Sequence, residues 1–257
     1  MLAVLRVLRA GPEWHRRGIR NAVMIPISDD NPARLTPIVS WAILLACVAV
    51  FVWEYSLGEA MTGALYVYGF TPDWFFHPAT LPQELPPDQP AITLFTSMFL
   101  HGGVLHLLGN MLYLWIFANN VEDAMGHIRF TLFYVLCGVA AALTFGIIEP
   151  SSRIPMVGAS GAISGVLAAY VLLYPRAHVR VIVPLGIIFY PMTVSAIVVI
   201  GFWFLMQLLS AAMSDPTQPG TAFWAHVGGF GAGIVLTPFL KSRNYSLFGQ
   251  ARRGPWG

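Results

Sequence analysis

Residues 158–175 read GASGAISGVLAAYVLLYP. The stretch is apolar around its whole circumference, and Pro175 ends it. From Gly158 to Tyr174 it spans about 17 residues, which at about 1.5 Å each is roughly 25 Å. That falls short of the roughly 30 Å hydrocarbon core of a bilayer. If the helix ends at the cytoplasmic face, Ser160 opens it below the outer surface. A helix start buried there has backbone N–H groups without partners. Ser160, Gly161, Ser164, Gly165 and Ala168 form a small-residue stripe, which lets a neighbouring membrane helix approach closely.

Five further apolar stretches surround this one in the sequence. They run from about Pro37 to Leu57, Val104 to Val121, Ile128 to Ile148, Thr193 to Met213 and Phe223 to Leu240. The composition agrees with a lipid-embedded chain. Of 257 residues, 56% are hydrophobic and 10% charged, and the mean hydropathy is +0.66. Typical soluble domains are about a quarter charged. These values exclude a disordered chain, a nucleic-acid binder and an ordinary soluble enzyme. The expected fold class is an all-α polytopic membrane protein with six transmembrane helices. The expected division is a basic segment at 1–36, a six-helix core at 37–240 and a basic tail at 241–257.

The net charge of +2 says little, but its placement says more. Six spans put both termini on one side. Arg6, Arg9, Arg16, Arg17, Arg20 and Arg34 lie there, with Arg129, Arg176, Arg180, Lys241, Arg243, Arg252 and Arg253. Arg153 alone falls on the other side. The positive-inside rule then places both termini in the cytoplasm, in a cell membrane. Residues 2–10 suit a short basic amphipathic segment on anionic lipid. A disordered tail, partly a misassigned start upstream of Met24, is the plainer reading. The apolar piece Val179–Phe189 holds Pro184 and Gly186 and reads as interfacial or re-entrant. The loop Gly58–Gln89, rich in Pro and aromatics, reads as a structured insertion partly in the outer leaflet. Cys47 and Cys137 sit within apolar runs, and no disulfide is expected.

Polar residues gather at one depth. The second stretch opens with His101, His106 and Asn110, the fourth with Ser160, and the sixth with His226. With alternating helix directions, all lie in the outer half. His106 and Asn110 share a face, as do His226, Gly229 and Gly233. Ionisable groups inside a membrane are costly and mark function. Taken singly, a Gly-x-Ser-Gly or a terminal His is more often packing or interfacial, as His77, His127 and His178 are read. Together they suggest a nucleophile, Ser160, beside a general base, His226. His106, Asn110 and the Ser160 N–H suit an oxyanion. None of the acidic residues lies in the outer half of these three helices, so a dyad is expected, with the His226 tautomer set by an unidentified group. No metal site is expected, since the histidine spacing is unlike a zinc helix motif.

These residues resemble the rhomboid family of intramembrane serine proteases. The matches are His101-x-x-x-x-His106-x-x-x-Asn110, Gly158-Ala159-Ser160-Gly161 and Ala225-His226-x-x-Gly229, with Val121-Glu122-Asp123-x-x-Gly126 as the helix exit. The resemblance spans about residues 24–240. It implies Ser160 as nucleophile, His226 as base, and His106 and Asn110 around the oxyanion. It implies single-span transmembrane proteins as substrates, a water-filled cavity, no metal and no cofactor. Phe202, Trp203, Phe204 and Met206 would form a lateral gate, and Ser214–Ala222 a cap. Two positions depart from the family pattern. Ile92-Thr93 stands where many members carry a Trp-Arg-like pair, and Ser164 where some place an aromatic against the histidine. Two other readings compete: a catalytically silent rhomboid-like protein that binds client transmembrane segments, and a small transporter with a broken helix, which lacks a matching interruption elsewhere. Oligomeric state is not legible.

Overall fold

A computed structural model describes residues 4–5, 22–23, 25–185, 188–213 and 221–249. The expectations for Arg6 to Arg20, for the start near Met24, for residues 214–220 of the cap and for Arg252 and Arg253 lie outside them. Each apolar stretch contains a helix. α1 is Ile38–Ser56; α2 (Met61–Tyr68), α3 (Pro72–Phe76) and α4 (Gln89–Thr96) build the long first loop. α5 is Val104–Met125, α6 His127–Ile148, α7 Ser160–Leu173, α8 Ala196–Met213 and α9 Phe223–Leu240. Five of these, α1, α5, α6, α8 and α9, are long and apolar enough to cross a membrane. α7 has 14 residues and is shorter, so by length the described span candidates number five rather than six.

α7 is the centre of the bundle. Twelve of its 14 residues are buried, and it contacts α5, α6, α8 and α9. Small side chains make this possible. A Cβ at Gly229 of α9 would land on the Gly161 carbonyl of α7, and one at Gly233 on the Gly165 carbonyl. A Cβ at Gly165 would in turn strike Cys137 of α6. Lipid offers no hydrophobic drive between helices, so such close backbone packing is what holds them. Larger side chains, among them Phe117, Phe130, Tyr134 and Tyr170, fill the remaining interior. Leu45, Val52, Leu105, Ile128, Val235 and Phe239 are exposed on the bundle's outside, as a lipid-facing surface requires. Cys47 and Cys137 are free and buried.

The end of the bundle opposite Ser160 is tied by two carboxylates. Glu122, fully buried, accepts the Val39 and Ser40 N–H groups at 2.9 and 2.8 Å, the Ser40 hydroxyl at 2.6 Å and His127 Nδ1 at 2.7 Å. It thus caps the first turn of α1, whose amides have no intrahelical partner. Asp123 accepts Leu35 N–H at 3.0 Å and the Tyr245 hydroxyl at 2.8 Å. Gly126 joins α5 to α6 at φ 77, a left-handed turn that suits glycine.

The all-helical expectation needs one amendment. β1 (Ile25–Asp29), β2 (His178–Leu185) and β3 (Ile188–Ser195) form an antiparallel sheet in that order. The piece Val179–Phe189, read as interfacial or re-entrant, is the core of a β-hairpin. Its register pairs Leu185 with Ile188, so only two residues connect the strands. The β-branched series Val179, Val181, Ile182 and Val183 favours this, and Val179 and Val181 are fully buried. The hairpin also delays α8, which starts at Ala196 rather than near Thr193. Residues 25–29, expected within a tail, are sheet, and the Tyr170 hydroxyl bonds Asp29 at 2.5 Å. A further two-residue pairing joins Val4–Leu5 to Ala22–Val23.

Candidate active site

Gly158 sets the entry to α7. Its φ of +120 is one that L side chains rarely adopt, and its N–H donates to the Ser97 carbonyl at 2.8 Å. A Cβ there would lie 2.7 Å from His106 Cε1 and 3.7 Å from Asn110 Nδ2. The His106 ring and the Asn110 amide therefore face the turn that delivers Ser160. Asn110 Nδ2 donates to the His106 carbonyl at 3.1 Å, and its Oδ1 is buried without a partner. No side chain caps the start of α7, so its first amides remain donors toward the same space.

Ser160 is the first residue of α7 and His226 lies in the first turn of α9. The close α7–α9 packing brings them together: His226 Nε2 is 2.7 Å from Ser160 Oγ. Both are buried, with 8% and 2% exposure. Ser164 does not face the histidine; its hydroxyl donates back to the Ser160 carbonyl at 2.6 Å. The aromatic neighbours of His226 are Trp203 of α8, with centroids 5.9 Å apart, and Phe223 of α9, at 6.4 Å.

Two polar residues at this end were missed from sequence. Gln207 of α8 places Oε1 2.7 Å from His226 Nδ1. The signal in the sequence is an amide side chain in the middle of an apolar helix, and a neutral amide can hold an imidazole N–H as a carboxylate does. Glu54, near the end of α1, is fully buried and accepts the His101 N–H at 3.2 Å from each oxygen. A carboxylate thus lies at this end after all, on the first helix, reaching the His101 backbone. His101 is buried, its Nδ1 is 3.2 Å from the Phe99 carbonyl, and its ring meets that of His106 edge-on at 5.2 Å. It touches His106 rather than Ser160. Gly161 packs against Ala141, and its N–H is among the uncapped amides that open α7. Among the described residues, no group of three His, Cys, Asp or Glu is placed to hold a metal ion.

The first loop is anchored without a Trp-Arg pair. Thr93 is buried and bonds its own turn at the Pro90 carbonyl, while Ile92 is exposed. Phe70 and Met156 instead exchange two backbone hydrogen bonds, at 3.0 and 2.8 Å. Arg153 reaches Asp73 at 3.0 Å.

A bundle of apolar helices around a short, buried, serine-led helix defines a polytopic membrane protein with a polar site enclosed among its helices. The Rhomboid domain matches residues 88–243, more than half of the chain, and the chain belongs to the rhomboid family. It is a multi-pass membrane protein. Among curated relatives, RHOMBOID-like protein 4 of Arabidopsis thaliana is 30% identical over 63% of this chain and 37% of its own length. Rhomboid protease GluP of Bacillus subtilis is 32% identical over 61% of this chain and 27% of its own. Inactive rhomboid protein 1 of Drosophila melanogaster is 35% identical over 36% of this chain and 6% of its own. The aligned part is thus well under half of each of these relatives. The family includes proteases and members named inactive.

Proposed function

We propose that this chain is an intramembrane serine endopeptidase that cuts single-span transmembrane proteins within or near the bilayer. The observation that carries the reading is the 2.7 Å contact between Ser160 Oγ and His226 Nε2, between two helices held together at their glycines. The Ser160 hydroxyl gives its proton to Nε2 as Oγ attacks the scissile carbonyl. Charge on the carbonyl oxygen then develops toward His106, Asn110 and the uncapped amides of α7. The protonated His226 returns the proton to the leaving amine, leaving an acyl group on Ser160. Water, deprotonated by His226, attacks that ester and regenerates the serine. Both termini lie in the cytoplasm on the positive-inside argument, which puts the site in the outer half.

The alternative is a catalytically silent rhomboid-like protein that binds client segments, as the relative named inactive suggests. The hydrogen-bonded Ser160 and His226 favour the protease. Reconstitution in liposomes with a labelled single-span protein tests the choice. Cleavage by the wild type, abolished in Ser160→Ala and His226→Ala, is expected. Equal cleavage by all three, or none by the wild type together with no labelling by a fluorophosphonate, overturns the reading.

A further inference from the structure

We propose that Gln207 is a positioning residue that selects the tautomer of His226, so that the site operates as a Ser160–His226–Gln207 triad. The proposal rests on the protease reading above. Gln207 Nε2 lies 3.5 Å from the Trp203 carbonyl, a long contact but with an acceptor only. Turning the amide over would set two oxygens against each other there and leave an N–H aimed at the imidazole. The Trp203 carbonyl therefore holds Oε1 toward His226. Oε1 has no proton to give, so the Nδ1 atom 2.7 Å away must carry one and donate it. A neutral imidazole protonated at Nδ1 has its free lone pair at Nε2, which is the atom 2.7 Å from Ser160 Oγ.

A chain of three contacts thus makes Nε2 the acceptor and the serine hydroxyl the donor. Gln207 is buried, as is His226, so water does not compete for Nδ1. When His226 takes the serine proton, the Nδ1–H keeps the same partner, and the amide dipole opposes the new positive charge. Asn fills an equivalent place in papain-like cysteine proteases. The other groups around the ring are Ser160 on α7, His106 on α5, and Trp203 and Phe223, which carry no charge. A merely structural Gln207, satisfying its own buried amide, would affect stability and leave the chemistry alone.

The test uses the full chain in liposomes and a rhodamine-bearing fluorophosphonate. That probe reacts by forming an Oγ–P bond on Ser160 with loss of fluoride, the hydroxyl proton passing to His226. The labelling rate is measured across pH in wild type, Ser160→Ala, Gln207→Leu and Gln207→Glu. Gln207→Leu is expected to label about 10- to 1,000-fold more slowly, a smaller loss than the roughly 10,000-fold drop that a wrong histidine tautomer causes in the Ser-His-Asp triad. Gln207→Glu keeps an acceptor at Nδ1; it is expected to label readily, with the acid limb of its pH–rate profile moved to higher pH. Wild-type rates and profiles in both variants, with Ser160→Ala unlabelled, overturn the role of Gln207 and leave the protease reading standing. A wild type that does not label overturns both. Should Gln207→Leu fail to fold, the Gln207→Glu profile decides alone: an unmoved acid limb refutes the proposal.

Discussion

Arg153 Nε donates to Asp73 Oδ2 at 3.0 Å, joining the first loop to the segment that runs into Ser160. The pair is unequal. The Arg153 side chain is 77% exposed, whereas that of Asp73 is 7% exposed and also accepts His77 Nδ1 at 3.0 Å. Truncating Arg153 to Ala is expected to cost no more than about 1 kcal/mol, the usual worth of an exposed ion pair. Truncating Asp73 is expected to cost more, because it unties both partners. Desolvation pushes the Asp73 carboxyl up, but hydrogen bonds from Arg153, His77 and Thr80 outweigh it and hold the carboxyl below its ordinary 3.8. A depressed value stabilises the fold above 3.8, and that stabilisation is lost as pH falls through the lower folded value. Thermal unfolding in detergent micelles should show Asp73→Asn less stable than wild type at pH 6. The two should converge below pH 3.8.

The opposite sign is expected at Asp29. Burial raises its carboxyl from 3.8 to about 6, partly offset by the hydrogen bond from Tyr170. A raised value contributes stability below 3.8 that is lost as pH rises through 6. Asp29→Asn should flatten the dependence of unfolding temperature on pH between 4 and 6. Above that window it should exceed wild type, by an amount of order 3 kcal/mol at most.

Backbone contact between α7 and α9 predicts sharp differences among glycines of one helix. Gly229→Ala and Gly233→Ala press a methyl onto α7 carbonyls and are expected to destabilise by about 1–3 kcal/mol or more. Gly231, exposed with nothing within 4 Å of its Cβ position, should accept Ala at no cost, with a gain of up to about 1 kcal/mol in helix propensity. Unfolding midpoints of the three variants check the order.

Around the proposed oxyanion, Asn110→Ala is expected to lower kcat by about 100- to 1,000-fold with KM little changed. Gly158→Ala should do similar damage for a different reason. It forces an L side chain to φ +120 and into the His106 ring, yet leaves every reacting group in the chain. Cleavage assays on these two variants, with fluorophosphonate labelling as a second readout, separate loss of a donor from displacement of the site.

Much of this protein is legible from residues alone. Apolar length sets the helices, because a backbone in lipid must satisfy its hydrogen bonds internally. The scarcity of polar residues in those helices makes each one conspicuous, so Ser160, His226, His106 and Asn110 stand out without coordinates. The hairpin at 178–195 was harder to read, since a short apolar run fits several structures until strand pairing is known. Gln207 and Glu54 escaped for a related reason. Each sits on a different element from the residue it serves, and sequence periodicity relates positions within one helix only.

What the sequence determined by itself is the inventory: which segments are apolar helices, which polar groups they carry, and at what position along each helix. Position follows from counting residues at a fixed rise. What only the tertiary structure decided is rotation and partnership. Two glycine contacts one turn apart, Gly229 on Gly161 and Gly233 on Gly165, fix how α9 faces α7, and that facing sets 2.7 Å between Oγ and Nε2. The packing of α8 on α9 brings Gln207 Oε1 within 2.7 Å of Nδ1. Such choices depend on the packing of separate helices, where one ångström separates a hydrogen bond from an empty gap.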